Sequence, residues 1–287
     1  MSVHARTVAI FGPGLMGGSL LMALRQRHPG VRLAAWARRD GALEELRQRG
    51  LADTCSTDAA EVARDADAIV LCVPVDRTAE LASRISAVVA PDALVTDVGS
   101  VKQPVVEGLE GIFSEHRNFV GSHPMCGSEE AGLAAARADL YEGALCVVTP
   151  TANSQPAMVE RAAKLWESAG GRAVEMDPAM HDRAAAIVSH VPHVAAAALV
   201  ELAGRSDPSF RTLCAGGFRD TTRVASGSPE LWTAILSQNR AEASRAIAAL
   251  VGILAEFQTS LENNDTDRIL ELLSAAAARR AEVFPPI

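Results

Sequence analysis

The chain has 287 residues, a length that suits two domains with sizeable cores. Apolar residues make up 48% of it and aromatic residues only 4%, and the dominance of alanine and leucine favours helices over an all-β fold. The formal net charge of −8, without a basic stripe, argues against a general nucleic-acid binder. No signal-peptide pattern and no uninterrupted apolar run of membrane length is visible, so we expect a cytoplasmic protein without membrane contact.

The five cysteines predict free thiols rather than a disulfide framework. Their number is odd and no CxxC pair occurs, which fits a reducing compartment. Cys72 and Cys146 fall in apolar runs that are typical of buried strands.

In the first half of the chain, apolar runs typical of strands alternate with helical stretches. The first predicted strand covers 7–11, and a helix over 17–27 follows it. Further strands are predicted over 32–37, 68–73, 93–97, 118–121, 144–149 and 172–175, with a short helix over 42–49. This alternation indicates βαβ units and a mainly parallel sheet. The fold class predicted for residues 1–176 is therefore α/β, a doubly wound Rossmann domain that binds a dinucleotide.

The pattern changes near residue 177, and no strand is predicted beyond residue 180. Helical runs cover 181–204, 230–264 and 267–282. Pro192 lies inside the first run and is expected to kink it, and Gly252 is a predicted weak point in the second. Residues 177–287 are thus predicted to form an all-helical domain that contributes to the substrate site and packs against a partner subunit.

A glycine-rich fingerprint follows the first predicted strand. Gly12 allows a tight turn, Gly14 lets a pyrophosphate approach the backbone, and Gly17 lets the next helix pack close to the strand. The free N–H groups of the helix N-terminus then face the phosphates. A purely structural turn is the alternative. The predicted nucleotide-binding residues are Gly12, Gly14, Leu15, Met16 and Gly17, with Val73 and Pro74 at the end of the third strand.

The end of the second predicted strand selects between NAD and NADP. NAD sites usually carry an acidic residue about 20 residues after the fingerprint, and Ala37 stands there instead. Arg38 and Arg39 follow at once and can grip a 2′-phosphate, so NADP is the predicted cofactor. Two alternatives stay open. The arginines are solvated charges, or a shift of one residue brings Asp40 to the ribose and NAD binds.

Polar residues follow two predicted strands at the carboxyl edge of the sheet, where ligands bind in doubly wound folds. Ser100 lies just past the strand 93–97 and is placed to touch substrate or nicotinamide. Lys102 is either a second anion contact or a surface lysine. His123 follows the strand 118–121, and its neutral imidazole can accept a proton from an alcohol as hydride leaves the same carbon. His123 is therefore the predicted general base.

The helical half contributes two further motifs. His190 and His193 are three residues apart and share a helix face, next to Ser189. Paired histidines on a helix can bind zinc, but neither HExxH nor a cysteine pair completes such a site, so no metal is predicted. Arg223 belongs to a charged cluster among small apolar residues, and a guanidinium held by Asp220 suits bidentate recognition of a carboxylate. An intersubunit salt bridge is the alternative.

In the order and combination of these motifs, the chain resembles the prephenate and arogenate dehydrogenases of tyrosine biosynthesis. The resemblance rests on residues 12–20, 99–102, 123–129, 180–182, 189–193 and 217–225. It implies a two-domain subunit and a homodimer built through the helical domain. It also implies NAD(P)-dependent oxidative decarboxylation of a small dianionic cyclohexadienyl substrate, with prephenate as the expected one.

The same resemblance implies roles for single residues. His123 would be the base at the ring hydroxyl, assisted by Ser100, and His193 and Arg223 would bind the substrate's carboxylates. Cys126 stands where the family commonly has alanine. The further substrate-binding residues are Ser128, Glu129, Ser189 and His190, of which Glu129 would gate the pocket.

Three alternatives to prephenate dehydrogenation stay open. Arogenate carries an alanyl instead of a pyruvyl side chain. The sequence does not identify the residue that distinguishes these two side chains. A dehydrogenase of the β-hydroxyacid type would share the fold but use a lysine base in the helical domain, and no lysine follows Lys164. A non-catalytic NADP-binding sensor would leave His123, His193 and Arg223 without a purpose.

Overall fold

Five strands form the first sheet of the protein. A computed structural model describes residues 5–127 and 130–284 of the chain. The strands are β1 (Thr7–Phe11), β2 (Arg32–Trp36), β3 (Thr54–Ser56), β4 (Ala68–Leu71) and β5 (Leu94–Asp97). Their order in the sheet is β3-β2-β1-β4-β5, and every neighbouring pair is parallel. The chain therefore winds outward from β1 in both directions, which confirms the predicted doubly wound Rossmann fold.

Helices connect these strands and cover both faces of the sheet. They are α1 (Leu15–Arg27), α2 (Asp40–Gln48), α3 (Ala59–Arg64), α4 (Thr78–Ile85) and α5 (Gln103–Ile112). Side chains of β1 alternate between two apolar clusters, with Val8 and Ile10 in one and Ala9 and Phe11 in the other. A strand buried on both faces reads as a continuous apolar run, and such a run was visible in the sequence. The three half-buried residues of β3 leave no such run, so this strand was not predicted.

A second sheet of three strands lies beside β5. It contains β6 (Gly121–Pro124), β7 (Leu145–Thr149) and β8 (Arg172–Glu175), with α6 (Pro156–Ser168) between the last two. β6 and β7 are antiparallel, whereas β7 and β8 are parallel. The prediction of a strand over 118–121 was therefore wrong by three residues. Phe119 makes only an isolated bridge to Val95, and His123 lies within β6 rather than after a strand.

The described residues beyond 177 contain no strand, as predicted. Their first helices are α7 (Pro178–Ala185), α8 (Val191–Arg205), α9 (Gly216–Thr222) and α10 (Pro229–Gln238). Between α7 and α8, Ala186–His190 form a π-turn, a wider helical turn that is frequent at functional sites. Pro192 lies in the first turn of α8, where its missing N–H costs little. The irregularity expected at Pro192 is thus a π-turn just before it.

The helical run Pro178–Arg205 is, by length and composition alone, apolar enough to cross a membrane. His190 and His193 interrupt this run, so it is not the uninterrupted apolar stretch whose absence the sequence predicts. Ile187, Val188 and Leu202 on this run are exposed, whereas His181 and Asp182 are buried and bonded within the folded chain. An exposed apolar face on a helix anchored in this way is typical of a protein contact surface.

The last two helices form a compact unit of their own. α11 (Arg240–Glu262) and α12 (Thr266–Val283) make up this unit, and the division falls between Asn239 and Arg240. Arg268 on α12 bonds to Glu256 on α11 at 2.8 Å. Gly252 lies inside α11 without interrupting it, so the predicted weak point was wrong. The single helix predicted over 230–264 is instead broken at Asn239. The domain boundary at residue 176 stays a prediction.

A buried ion pair connects the two sheets. Lys102 is fully buried, and its Nζ donates to the carboxylate of Asp97 and, at 2.8 Å, to the carbonyl oxygen of Ser122. The Asp97 carboxylate also accepts the backbone N–H of Ser122 at 3.1 Å. Lys102 is therefore neither a surface lysine nor in a position to contact a bound anion, because its ammonium group is used inside the protein.

We expect Lys102→Met to lower the free energy of unfolding by about 3–5 kcal/mol, because it leaves the Asp97 charge buried without a partner. Urea denaturation measures this loss. The matched control is Lys164→Met, at the chain's other lysine, which pairs with Glu160 on the surface of α6 and should cost about 0–1 kcal/mol. Equal small losses in both variants would contradict a structural role for the buried pair.

Candidate active site

The three fingerprint glycines each have the geometry that a dinucleotide site requires. Gly12 has a φ of +102°, and a Cβ there would stand 2.5 Å from the carbonyl oxygen of Cys72. A Cβ at Gly17 would stand 2.3 Å from the carbonyl oxygen of Gly12, so α1 packs against the turn only because this side chain is missing. At Gly14 nothing lies within 4 Å of such an atom. The turn is closed on the protein side and open at the N-terminus of α1, where a pyrophosphate fits.

A cavity of about 820 Å³ opens beside this turn. The predicted nucleotide-binding residues that line it are Gly12, Gly14, Arg38, Val73 and Pro74. Leu15, Met16, Gly17 and Arg39 are not among its lining residues. Leu15 and Met16 pack against the apolar core instead, and the carbonyl oxygen of Met16 accepts the hydroxyl of Tyr141 at 2.8 Å. Residues of α10 complete the wall, so the helical half of the chain closes the cleft: Glu230, Leu231 and Ala234, preceded by Ser228.

The end of β2 presents basic groups to this cavity. Arg38 lines it directly after the buried Ala37, and Arg84 on α4 holds its guanidinium 5.8 Å from the ring centroid of Trp36. Asp40 lies in the first turn of α2, bonds to Arg47 at 3.3 Å and does not line the cavity. Asp40 is therefore not at the cavity wall, where the NAD alternative placed it. The cavity wall also contains Glu45, Asp76, Arg77 and Glu80.

His123 is held in a chain of buried polar groups. Its side chain is 9% exposed, and its Nδ1 lies 2.8 Å from Nε2 of His181. The other ring nitrogen of His181, Nδ1, lies 2.8 Å from Oδ1 of Asp182. The Asp182 carboxylate in turn accepts the backbone N–H groups of Lys102 at 2.7 Å and Gln103 at 2.9 Å, at the start of α5. No described residue bonds to Nε2 of His123, which leaves that nitrogen available to a ligand.

Burial keeps His123 in its neutral form. Loss of hydration lowers the pKa of His123 well below its ordinary value of 6.5, and the nearby His181, Lys102 and His190 lower it further when they are charged. A histidine with a lowered pKa is unprotonated at neutral pH and can accept a proton. This environment suits the general base that the sequence predicted.

His190 and His193 both lie against Trp232 on α10. The ring of His193 stacks on Trp232 with centroids 3.6 Å apart, and the ring of His190 meets it edge-on. Nδ1 of His190 lies 3.3 Å from the amide nitrogen of Asn239, which donates to the carbonyl oxygen of Asp182 at 2.8 Å. Burial lowers the pKa of His190 to about 4, and it also lowers the pKa of His193.

Two ring nitrogens in this group have no partner among the described residues. They are Nε2 of His190 and Nδ1 of His193, and both are buried. A buried polar group without a hydrogen bond is costly, so such groups often mark the place of an absent ligand or water. Nδ1 of His190 faces the amide nitrogen of Asn239, so its Nε2 carries the proton and can donate to a polar molecule. Nδ1 of His193 is instead an acceptor in the neutral ring, because the other ring nitrogen donates to the backbone carbonyl of Val224.

The remaining predicted site residues are placed less tightly. Ser100 is half-buried in the loop between β5 and α5, and Ser189 is half-buried in the π-turn. Arg223 is exposed at the end of α9, and the His193 ring donates a hydrogen bond to the backbone carbonyl of the following Val224. Asp220 forms an exposed ion pair with Arg219 at 3.6 Å, so the cluster is not embedded among apolar side chains as predicted. Ser128 and Glu129 lie outside the described residues.

Sequence reasoning gave no role to four residues that the fold brings to this site. They are His181, Asp182, Trp232 and Asn239. One signal was available, since an adjacent histidine and aspartate open the apolar helical run. Trp232 and Asn239 carried no signal, because they meet the histidines only through the packing of α10 against α8.

Two family models match the chain. The one described as "Prephenate dehydrogenase, nucleotide-binding domain" matches residues 20–175, and "Prephenate dehydrogenase, dimerization domain" matches residues 177–275. The prephenate dehydrogenase of Bacillus subtilis (strain 168) is 31% identical over 274 residues, which are 94% of this chain and 74% of that relative.

Solved structures give the same result. A prephenate dehydrogenase from A. aeolicus, in complex with hydroxyphenyl propionate and NAD+, has a TM-score of 0.93 and 31% identity and covers 99% of this chain and 100% of its own. The arogenate dehydrogenase of Synechocystis has a TM-score of 0.84 and 29% identity and covers 96% of this chain and 99% of its own. Because two family models together span most of the sequence and the fold agrees throughout, the chain belongs to the prephenate dehydrogenase family.

Proposed function

We propose that this protein oxidatively decarboxylates prephenate to 4-hydroxyphenylpyruvate with a nicotinamide dinucleotide, in the biosynthesis of tyrosine. The observation that carries the proposal is a buried, neutral His123 whose Nε2 bonds to no described residue, in a member of this family. The glycine turn at Gly12 to Gly17 and the cavity beside it fit a dinucleotide. An absorbance assay at 340 nm with prephenate tests the activity, and no change in absorbance with either NAD or NADP would contradict it.

The proposed chemistry asks little of the protein beyond positioning and one proton transfer. His123 accepts the proton of the ring hydroxyl at its Nε2, assisted by Ser100. A bound nicotinamide supplies the acceptor for the hydride that leaves the same carbon. Loss of carbon dioxide then makes the ring aromatic, so the step is strongly downhill. No metal is required.

Each of the substrate's two carboxylates needs its own binding residue. We assign these roles to His193 and Arg223, with Ser189 and His190 beside them and with Ser128 and Glu129 completing the site. The support is the unpartnered Nδ1 of His193 and the neighbouring Val224, which brings the Arg223 backbone next to this histidine. Because the other ring nitrogen of His193 donates to the Val224 carbonyl, Nδ1 donates to a carboxylate only when the ring is protonated, whereas a guanidinium always donates.

Arogenate is the second candidate substrate. The similarity to the arogenate dehydrogenase of Synechocystis favours it, since that structure is nearly as close in fold as the A. aeolicus enzyme. The two substrates differ only in a pyruvyl or alanyl side chain. Initial rates with both substrates and both cofactors decide between them.

We also propose NADP as the preferred cofactor and a homodimer as the working form. Arg38 and the opposite Arg84 support the first, because both line the cavity where β2 ends. The exposed apolar face of the run Pro178–Arg205 and the dimerization-domain match support the second. Domains meeting near residue 176 agree with the limits of the two family matches. A cytoplasmic location fits a biosynthetic enzyme of this type.

We expect His123→Asn to lower kcat by about 10²–10⁴-fold, because the hydroxyl proton loses its acceptor. Burial lowers the pKa of His123, so in the unmodified enzyme kcat/KM falls with acidification only below the ordinary histidine value of about 6.5. Steady-state rates between pH 5 and 9 measure both effects. An Asn variant with near-normal kcat would remove His123 from the mechanism.

We expect Arg223→Ala to raise KM for the substrate by about 10- to 100-fold, the range for one charge-assisted hydrogen bond. The matched control is Arg219→Ala, an exposed arginine four residues earlier that pairs with Asp220 and should leave KM unchanged. Sedimentation of both variants reports the oligomeric state. If KM stays constant while the dimer dissociates, Arg223 is an interface residue instead.

We expect Arg38→Ala to raise KM for NADP and leave KM for NAD nearly unchanged, because only NADP carries the 2′-phosphate. Arg39→Ala serves as the comparison, since Arg39 does not line the cavity and should change the preference less. Adding Ala37→Asp to the Arg38 variant should shift kcat/KM further toward NAD. Equal or better use of NAD by the unmodified enzyme would contradict NADP as the preferred cofactor.

A further inference from the structure

We propose that His181 and Asp182 are positioning residues that hold His123 with its proton on Nδ1 and with Nε2 bare. The inference rests on the proposed function, in which His123 is the base. Neither residue touches the reacting atoms. They act through one chain of hydrogen bonds that begins at the N-terminus of α5 and ends at the ring of His123.

The chain begins with a carboxylate that can only accept. Asp182 is buried, and its two oxygens receive the backbone N–H groups of Lys102 and Gln103 at 2.7 and 2.9 Å. A backbone N–H always donates, so these bonds require acceptor oxygens. A negative charge is also favoured at the N-terminus of a helix. Both oxygens of Asp182 are therefore held as acceptors.

This acceptor fixes the orientation of the next ring. Nδ1 of His181 lies 2.8 Å from Oδ1 of Asp182. Nδ1 therefore carries the ring proton and donates a hydrogen bond to this oxygen. A neutral imidazole has one donor and one acceptor nitrogen, which leaves Nε2 of His181 as an acceptor. That nitrogen lies 2.8 Å from Nδ1 of His123.

Only one tautomer of the His123 ring is compatible with this acceptor. Its Nδ1 donates to His181, and its Nε2 has no proton and no partner among the described residues. A base must present a lone pair, so this is the tautomer that the reaction needs. When Nε2 takes up the substrate's proton, the imidazolium still donates to His181, with the Asp182 carboxylate behind it. No proton has to reach Asp182.

The charged groups around this chain are few. His123 is faced by His181 from α7, by His190 from the π-turn and by Lys102 at the start of α5. Lys102 is balanced by its own partner Asp97. Asp182 is thus the carboxylate that acts on the two rings through His181.

The test uses the substitution His181→Phe, which keeps a ring in place and removes both nitrogens. Asp182 is a poor choice because its loss also uncaps α5. We expect kcat to fall by about 10²-fold, less than on removal of the base, with KM for the cofactor unchanged. The matched control is His28→Phe, which removes the hydrogen bond between the His28 ring and the Ser168 carbonyl oxygen. His28 lies at the C-terminal end of α1, whereas the glycine turn lies at its N-terminal end. Its kcat should not change.

Nitrogen-15 NMR of histidine-labelled protein reads the tautomer directly, a property that a merely structural role would not alter. The chain has seven histidines, and the spectrum of His123→Asn assigns the His123 signal. We expect a proton on Nδ1 of His123 in the unmodified protein and its displacement to Nε2 in His181→Phe. His181→Gln, whose amide oxygen can accept from Nδ1, should restore the first form and part of kcat.

Two results would overturn the proposal. The first is a proton on Nε2 of His123 in the unmodified protein at neutral pH. The second is a His181→Phe variant that keeps both the kcat and the tautomer of the unmodified protein. The test of the His123 tautomer can fail or succeed independently of the test of the proposed function. A protein that uses neither prephenate nor arogenate, yet carries the His123 proton on Nδ1, would contradict the function and support the positioning.

Discussion

The fold of the candidate site depends on the buried ion pair between Lys102 and Asp97. Asp97 ends β5, and its carboxylate holds both the Lys102 ammonium and the backbone N–H of Ser122 in the second sheet. The backbone N–H of Lys102 holds Asp182 in the helical half. His123 follows Ser122 directly and His181 precedes Asp182. The segment from Asp97 to Lys102 thus sets the distance between His123 and His181. It binds Ser122 and Asp182, and each of these residues is the chain neighbour of one of the two histidines.

Polar groups around this loop divide into two kinds. Those of Lys102, Asp97, Ser122 and Asp182 are all bonded within the protein, which offsets the cost of removing charges from water. One buried ring nitrogen of each paired histidine, Nε2 of His190 and Nδ1 of His193, has no such partner among the described residues. A framework with satisfied groups is rigid, and unsatisfied groups beside it are free to bind a polar ligand. This contrast separates the supporting structure from the residues to which we assign substrate binding.

The exposure of apolar side chains also differs between the first sheet and the helical run Pro178–Arg205. The strands around β1 are covered on both faces, yet the helical run Pro178–Arg205 leaves Ile187, Val188 and Leu202 in solvent. The same run supplies His181, Asp182 and the paired histidines. A subunit contact on its outer face would therefore also stiffen the element that carries the site. The proposed dimer interface and the proposed substrate site would then share one helix.

The sequence by itself determined the features that depend on local pattern. The fingerprint glycines and the buried strand β1 follow from the steric freedom of glycine and from an apolar run, and the structure has them where the pattern predicts. β4 begins at the predicted residue but ends two residues earlier, and α1 begins two residues before its predicted start. The candidate base His123 was also identified from its motif, although its strand was placed three residues too early. Neighbouring residues in the chain carry enough information for such features, because the interactions that form them are short in sequence.

Only the tertiary structure decided the features that depend on contacts between distant residues. Lys102 was predicted to be either an anion contact or a surface lysine, because nothing nearby in sequence shows that Asp97 and Ser122 will enclose it. The link from His123 to His181 joins residues 58 positions apart and needs both sheets and α7 in place. Burial, ion pairing and ring tautomers arise from what surrounds a side chain after packing, and residue pattern alone contains no record of those surroundings.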